Sequence, residues 1–236
     1  MNINNIRERL VELEDVILSG LNERSKYKIN SDIYIHNSNQ FIYNNNFEGT
    51  YLDFMFKNIE NVHSASGRYE CFDERPYYKG LSKCIVQRNY NYNLPQELIE
   101  FSKKINFSPW IKIAYLNFIQ ELCESGTDTN YGDTVLIDIS NLQAISKRIH
   151  YGVLVMEEKY KDNISVYKNF LDKNDDISII NELKNVDIEK HILNRIQEKA
   201  KNLDFNKPEI IVNFFKNIII PMTIQIELEY IFYKKL

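Results

Sequence analysis

The chain has 236 residues, of which 33 are acidic and 29 basic, for a formal net charge of −4. It carries no basic stripe of the kind that neutralises many phosphates, which excludes a nucleic-acid partner. Seven glycines and five prolines make up about 5% of the chain, against roughly 12% in average usage. Strand-rich and Rossmann-type folds spend those residues on turns, bulges and phosphate loops. The composition therefore predicts an all-α fold of long and short helices joined by few loops. The 44% of apolar residues suffice for a sizeable core.

The first predicted helix covers residues 3–24, where Ile6, Leu10, Leu13, Ile17 and Leu21 recur at helical spacing. A polar loop follows, ending in Asn44-Asn45-Asn46. A second helix is expected from Thr50 to Arg68, with Leu52, Met55, Ile59 and Val62 on its core face. Residues 70–94, with Pro76, Gly80 and several tyrosines, read as a long excursion of the kind often tied to function. Ser108-Pro109 reads as a cap followed by proline in the first turn of a helix that Gly126 stops. Gly126 to Asp133 is a second polar loop. From Asp138 a long helix is predicted to cross Gly152, carrying Leu142, Ile145, Ile149, Val153, Met156 and Tyr160. Shorter helices fit 164–171 and 175–183, and Asp187 opens another. The last begins at Pro208 and kinks at Pro221. No shift in composition divides the chain, so 1–236 is read as one domain.

Cys71, Cys84 and Cys123 form no CxxC pair, which excludes a zinc ribbon or disulfide framework and favours a reducing compartment. The opening residues lack a basic and an apolar signal region. The longest clean apolar run, near Ile218 to Met222, is far short of a membrane span. The expectation is a cytoplasmic protein with no membrane partner. Phosphate-loop, dinucleotide, metalloprotease, nucleophile-elbow and calcium-loop motifs are all missing. His36, His63, His150 and His191 stand apart, none at metal-ligand spacing. No metal and no cofactor are expected.

Polar residues set among apolar helical ones remain. Arg148 and Lys159 are eleven positions apart, which returns to within about 20° of one helix face. Asn185 with Glu189, and Thr223 with Glu227, are i,i+4 neighbours. Spacing alone reads each as ordinary surface charge. The residues themselves go further. Asn5 to Asp15, then Asn22-Glu23-Arg24-Ser25, Tyr51-Leu52-Asp53, His63-Ser64, Tyr69-Glu70 and Asp73-Glu74-Arg75-Pro76 resemble, in order, the all-helical chorismate mutases of the eukaryotic type. The likeness is densest in Leu142-Gln143, Ser146 to Gly152 and Glu158-Lys159-Tyr160. It extends to Ile220-Pro221-Met222-Thr223, Glu227, Glu229 and Tyr230.

The resemblance implies conversion of chorismate to prephenate in phenylalanine and tyrosine biosynthesis. This intramolecular pericyclic rearrangement needs orientation and preorganised charge rather than a nucleophile or cofactor. By the same resemblance, Arg7 and Arg148 clamp the substrate carboxylates. Thr223 adds a hydroxyl donor there, Asn185 orients the pyruvyl group, and Glu189 binds the ring hydroxyl. Lys159 and Glu227 flank the ether oxygen, where Glu227 helps only when protonated. All seven positions carry the family's residue type.

Regulated relatives are homodimers that bind tyrosine or tryptophan between subunits through two adjacent arginines. This chain has Gly67-Arg68, and the facing loop keeps Asn130 and Gly132 but has Asp133 where a hydroxyl is usual. The resemblance thus implies a homodimer with weak or absent effector control, classical control being the alternative. A non-catalytic helical module, or a lyase of the same fold acting on isochorismate, are the competing functions.

Overall fold

The computed structural model describes residues 3–41, 47–87 and 94–234, and every regular element among them is helical. Its spine is the pair α1 (Ile3–Ser25) and α5 (Tyr131–His150). The stripe Ile6, Leu13, Ile17 and Leu21 on α1 is buried, as are Val135, Ile139, Leu142, Ile145 and Ile149 on α5. Each such side chain contributes about 1.5–3 kcal/mol by leaving water. The two helices approach closely at Gly20, where a Cβ would stand 2.0 Å from Asn141 Oδ1. Asn141 uses that closeness to donate to the Gly20 carbonyl at 3.1 Å.

Helix α2 (Tyr51–Ala65) starts at a reciprocal cap between Thr50 and Asp53. Its buried face is Leu52, Phe56 and Glu60, so Val62, expected in the core, instead points outward at 68% exposure. The i,i+4,i+8 row wins because the Glu60 carboxylate anchors the following excursion. It accepts from the Tyr77 and Tyr78 amides and the Tyr69 hydroxyl. That excursion leads to α3 (Gln96–Lys104), a short helix the apolar pattern did not reveal. Residues 88–93 of the excursion and Asn44–Asn46 of the earlier loop lie outside the described residues.

Helix α4 (Ser108–Leu122) is preceded by Phe107 rather than capped by Ser108, whose hydroxyl is taken by Ser146 Oγ at 3.1 Å. The helix expected from Asp138 starts seven residues earlier, at Tyr131, and breaks at Tyr151 into α5 and α6 (Gly152–Asp162). Helices α7 (Ile164–Asp172) and α8 (Asp176–Leu183) match the sequence expectation closely. α9 (Val186–Asn202) is capped by Asn185, whose Oδ1 accepts from the Ile188 amide at 3.0 Å.

The last segment runs from α10 (Pro208–Phe214) through a π turn (Phe215–Ile219) into α11 (Ile220–Tyr233). Pro221 offers no N–H to the preceding turn, and the wider turn absorbs that loss. Taken as one helix, Pro208–Tyr233 is long and apolar enough to cross a membrane, which corrects the expectation drawn from uninterrupted apolar runs. It packs here against α5, α6 and α8 and buries Thr223 and Glu227.

Candidate active site

α1, α5, α6, α9 and α11 surround a cavity of about 440 Å³, within the range of small-molecule sites. Arg7, Arg148, Lys159, Asn185, Glu189, Thr223 and Glu227 all line it. The seven residues singled out from the sequence therefore converge on one space, although they come from opposite ends of the chain.

Arg148 occupies the last turn of α5 and is 3% exposed. Its NH2 reaches Glu14 Oε1 at 3.5 Å, the outer limit of a hydrogen bond. Its Nε and NH1 are buried without a partner. Glu14, itself 0% exposed, is held instead by Arg195. The Arg195 Nε donates to Oε2 at 3.0 Å, and its NH2 to Oε2 at 2.9 Å. Burial pulls the Arg148 guanidinium below its ordinary pKa, and the Glu14 carboxylate opposes this; the group remains a cation at neutral pH. Unpaired buried donors are costly, about 1–3 kcal/mol each and more when charged. An anionic ligand would remove that penalty by accepting from both.

On the opposite wall, Lys159 Nζ donates to Glu227 Oε2 at 2.8 Å and to the Leu183 carbonyl at 3.4 Å. Glu227 is almost fully buried. Burial pushes its carboxyl above the usual carboxylate range, while Lys159 and, more weakly, Arg148 pull it back. Thr223 Oγ1 donates to the Ile219 carbonyl at 2.7 Å. The hydroxyl proton expected to serve a substrate carboxylate is thus engaged by the backbone at the π turn. Asn185 spends its carbonyl oxygen on the α9 cap, leaving the amide nitrogen as its donor. Arg7 is exposed and Glu189 half-buried along the cavity wall.

Glu14 and Arg195 were not anticipated. Glu14 follows Leu10 by four positions and precedes Ile17 by three, so a carboxylate interrupting that apolar stripe was the available signal. Arg195 had none, because its partner lies 181 residues away. The effector candidates do not meet within one chain. Arg68 contacts Glu74 at 3.1 Å, Gln143 at 2.7 Å and His63 at 3.2 Å. Asn130, Gly132 and Asp133 lie at the start of α5, roughly 15–20 Å along the helix from Gln143. Among the described residues no group of three or more His, Cys, Asp or Glu could hold a metal ion.

Arginines, a lysine and a carboxyl whose pKa burial raises, set around one pocket of a helical framework, define the class that binds and reshapes a small anion without strand or phosphate loop. The model for chorismate mutase type II matches residues 131–228. The chorismate mutase of Saccharomyces cerevisiae is 31% identical over 98% of this chain and 94% of its own. The Candida albicans chorismate mutase, crystallised in complex with L-Trp, is 32% identical, with a TM-score of 0.88 over 98% of this chain and 90% of that one. AtCM1 with tyrosine bound in its allosteric site gives 28% identity and a TM-score of 0.87, covering 98% and 96% of the two chains. The chain belongs to the chorismate mutase family. It is an isomerase that converts chorismate to prephenate, a step of aromatic amino-acid biosynthesis.

Proposed function

We propose that the cavity walled by Arg148 and the Lys159–Glu227 pair is where this rearrangement occurs, and that the seven lining residues divide the work. Arg7 and Arg148 hold the two substrate carboxylates. Arginine suits this because its planar fork bonds a carboxylate bidentately and keeps its charge. Thr223 joins one carboxylate once its hydroxyl leaves the Ile219 carbonyl, a loss of about 1 kcal/mol for a neutral hydrogen bond. Asn185 orients the pyruvyl group and Glu189 binds the ring hydroxyl. These contacts hold the flexible dianion in its compact, chair-like reactive shape. Lys159 and protonated Glu227 donate to the ether oxygen as negative charge grows there. The observation that carries the proposal is that Arg148, which has two buried donors without a partner, lines the same cavity as that couple.

Loss of chorismate absorbance with identification of the product tests the assignment. Prephenate is expected; pyruvate released from isochorismate, or no turnover, would overturn it. A carboxyl that works when protonated, with its pKa raised by burial, predicts activity that is full at low pH and falls as pH rises through that pKa. Glu227→Gln keeps a donor at every pH and should flatten the basic limb. An unchanged limb in this variant would sink the role given to Glu227.

The same enzyme is read as a single domain over 1–236, a cytoplasmic homodimer with its effector site between subunits. The three cysteines are free thiols, in keeping with a reducing compartment, and AtCM1 and the Candida enzyme carry amino acids in their crystals. Here Arg68 of one subunit would face Asn130, Gly132 and Asp133 of the other. Because Arg68 is already engaged by Glu74 and Gln143, tyrosine or tryptophan should bind weakly. A several-fold rate change on titrating either would overturn the expectation of weak control.

A further inference from the structure

Gly152 opens α6 in ordinary helical backbone, so conformational freedom does not account for it. Glycine is the poorest helix former after proline, and a structural reason for it must lie outside its own helix. Across the gap stands α11. A Cβ on Gly152 would come within 3.0 Å of both Thr223 Cγ2 and the Thr223 carbonyl oxygen, and within 3.6 Å of Glu227 Cγ. Comfortable separations between carbon atoms are about 3.5–4.0 Å. The Thr223 methyl cannot turn aside freely, because its Oγ1 is tied to the Ile219 carbonyl. The carbonyl oxygen belongs to the α11 backbone and moves only with the helix.

We propose that Gly152 is a positioning residue: by carrying no side chain it lets α6 lie close enough to α11 for Lys159 and Glu227 to meet at hydrogen-bond distance. Lys159 lies seven residues, about two helical turns, beyond Gly152 and returns to nearly the same face. Glu227 lies one turn beyond Thr223. The spacing set at Gly152 and Thr223 is therefore transmitted along two rigid helices to the 2.8 Å contact between Lys159 and Glu227. Gly152 touches no reacting atom. It acts through Thr223 and Glu227, and the inference rests on the roles proposed for those residues and Lys159. Glu227 also feels Arg148 from α5, and its charge reaches Tyr167 of α7. Lys159 is the partner that a shift of α11 away from α6 would weaken.

The test is Gly152→Ala in the full-length enzyme, followed by kcat, KM and the pH profile of kcat. A fall in kcat of tenfold or more is expected, with KM changed less. The basic limb should move to higher pH, because Glu227 loses part of the contact that lowers its pKa. The fall should be smaller but not abolished when Gly152→Ala is made in a Thr223→Ser background, where the methyl is gone and the contact with the backbone carbonyl remains. A kcat within twofold of the parent with an unmoved limb would overturn the proposal. So would a loss confined to folded fraction or melting temperature. If Gly152→Ala alone does not fold, the double variant decides: a shifted limb relative to Thr223→Ser supports the proposal, and an unshifted one overturns it. Should Glu227→Gln leave the limb unmoved, the Glu227 role fails separately, and the kcat loss with its relief by Thr223→Ser still tests the spacing.

Discussion

Two buried arginines on the α1–α5 spine have opposite fates. Arg24, near the end of α1, has its donors committed. Its Nε meets Asp138 Oδ1 at 2.8 Å, NH1 meets the Tyr27 and Lys28 carbonyls, and NH2 meets the Ile29 carbonyl and the Tyr34 hydroxyl. Asp138 is completed by the hydroxyls of Tyr34 and Tyr115. Arg148, near the end of α5, has a single long contact and two donors without partners. A charge closed into a complete shell fixes the path of the chain, here the turn after α1. A charge left partly open is poised for a ligand, because the unmet donors are satisfied only when an anion arrives.

The comparison can be broken from either side. Arg148→Ala should lower kcat/KM by about 4 kcal/mol, roughly a thousandfold, with little change in unfolding midpoint. A loss below tenfold in steady-state kinetics would mean that the open donors do not face the substrate. Arg24→Ala should do the reverse, costing about 3 kcal/mol of folding stability by stranding Asp138 while the folded fraction keeps its kcat. Urea unfolding paired with kinetics decides this, and a catalytic defect without destabilisation would erase the distinction. Glu14→Gln sharpens it. Without the carboxylate between them, Arg195 and Arg148 repel, and kcat/KM should drop about tenfold, near 1.4 kcal/mol; an unaltered value would show that Arg148 needs no counter-charge.

A separate effect, read as a slope with pH, concerns His150, two residues beyond Arg148, which is buried and kept neutral. Its Nε2 accepts from the Phe107 amide at 3.0 Å, and Nδ1 lies 2.8 Å from the Ser146 carbonyl. Burial pulls its pKa down to about 3. The unfolded imidazole titrates near 6.5, so the contribution is fully present above that pH and is lost as pH falls toward 3. The slope is at most about 1.4 kcal/mol per pH unit. Unfolding at pH 7 and pH 5 should show this dependence, and His150→Gln should reduce it; equal slopes would remove His150 as its source.

Apolar spacing made α1, α7, α8 and α9 legible, because each presents one clear stripe to the core. It misplaced Val62, since a buried carboxylate, Glu60, sets the inward face of α2. It also missed α3, whose nine residues bury only Leu98, Phe101 and Ser102, and the break at Tyr151, through which apolar residues continue. The site was legible where residue types matched a known arrangement, and spacing alone had left those positions as surface charge. Glu14 and Arg195 escaped because their meaning arises only when α1 and α9 come together. Arg24 and Arg148 look alike as sequence; what separates them is the number of acceptors that folding brings to each.

Two of the helices that wall the cavity, α1 and α11, are the first and last helices of the described chain. Closing so large a loop has an entropic cost that only the finished core offsets. Substrate binding should therefore begin late in folding, after Glu227 has docked on Lys159 and Arg7 has reached its place. Activity then reports whether the two ends of the chain have come together. Fraying at either end should silence catalysis while most of the helical content persists.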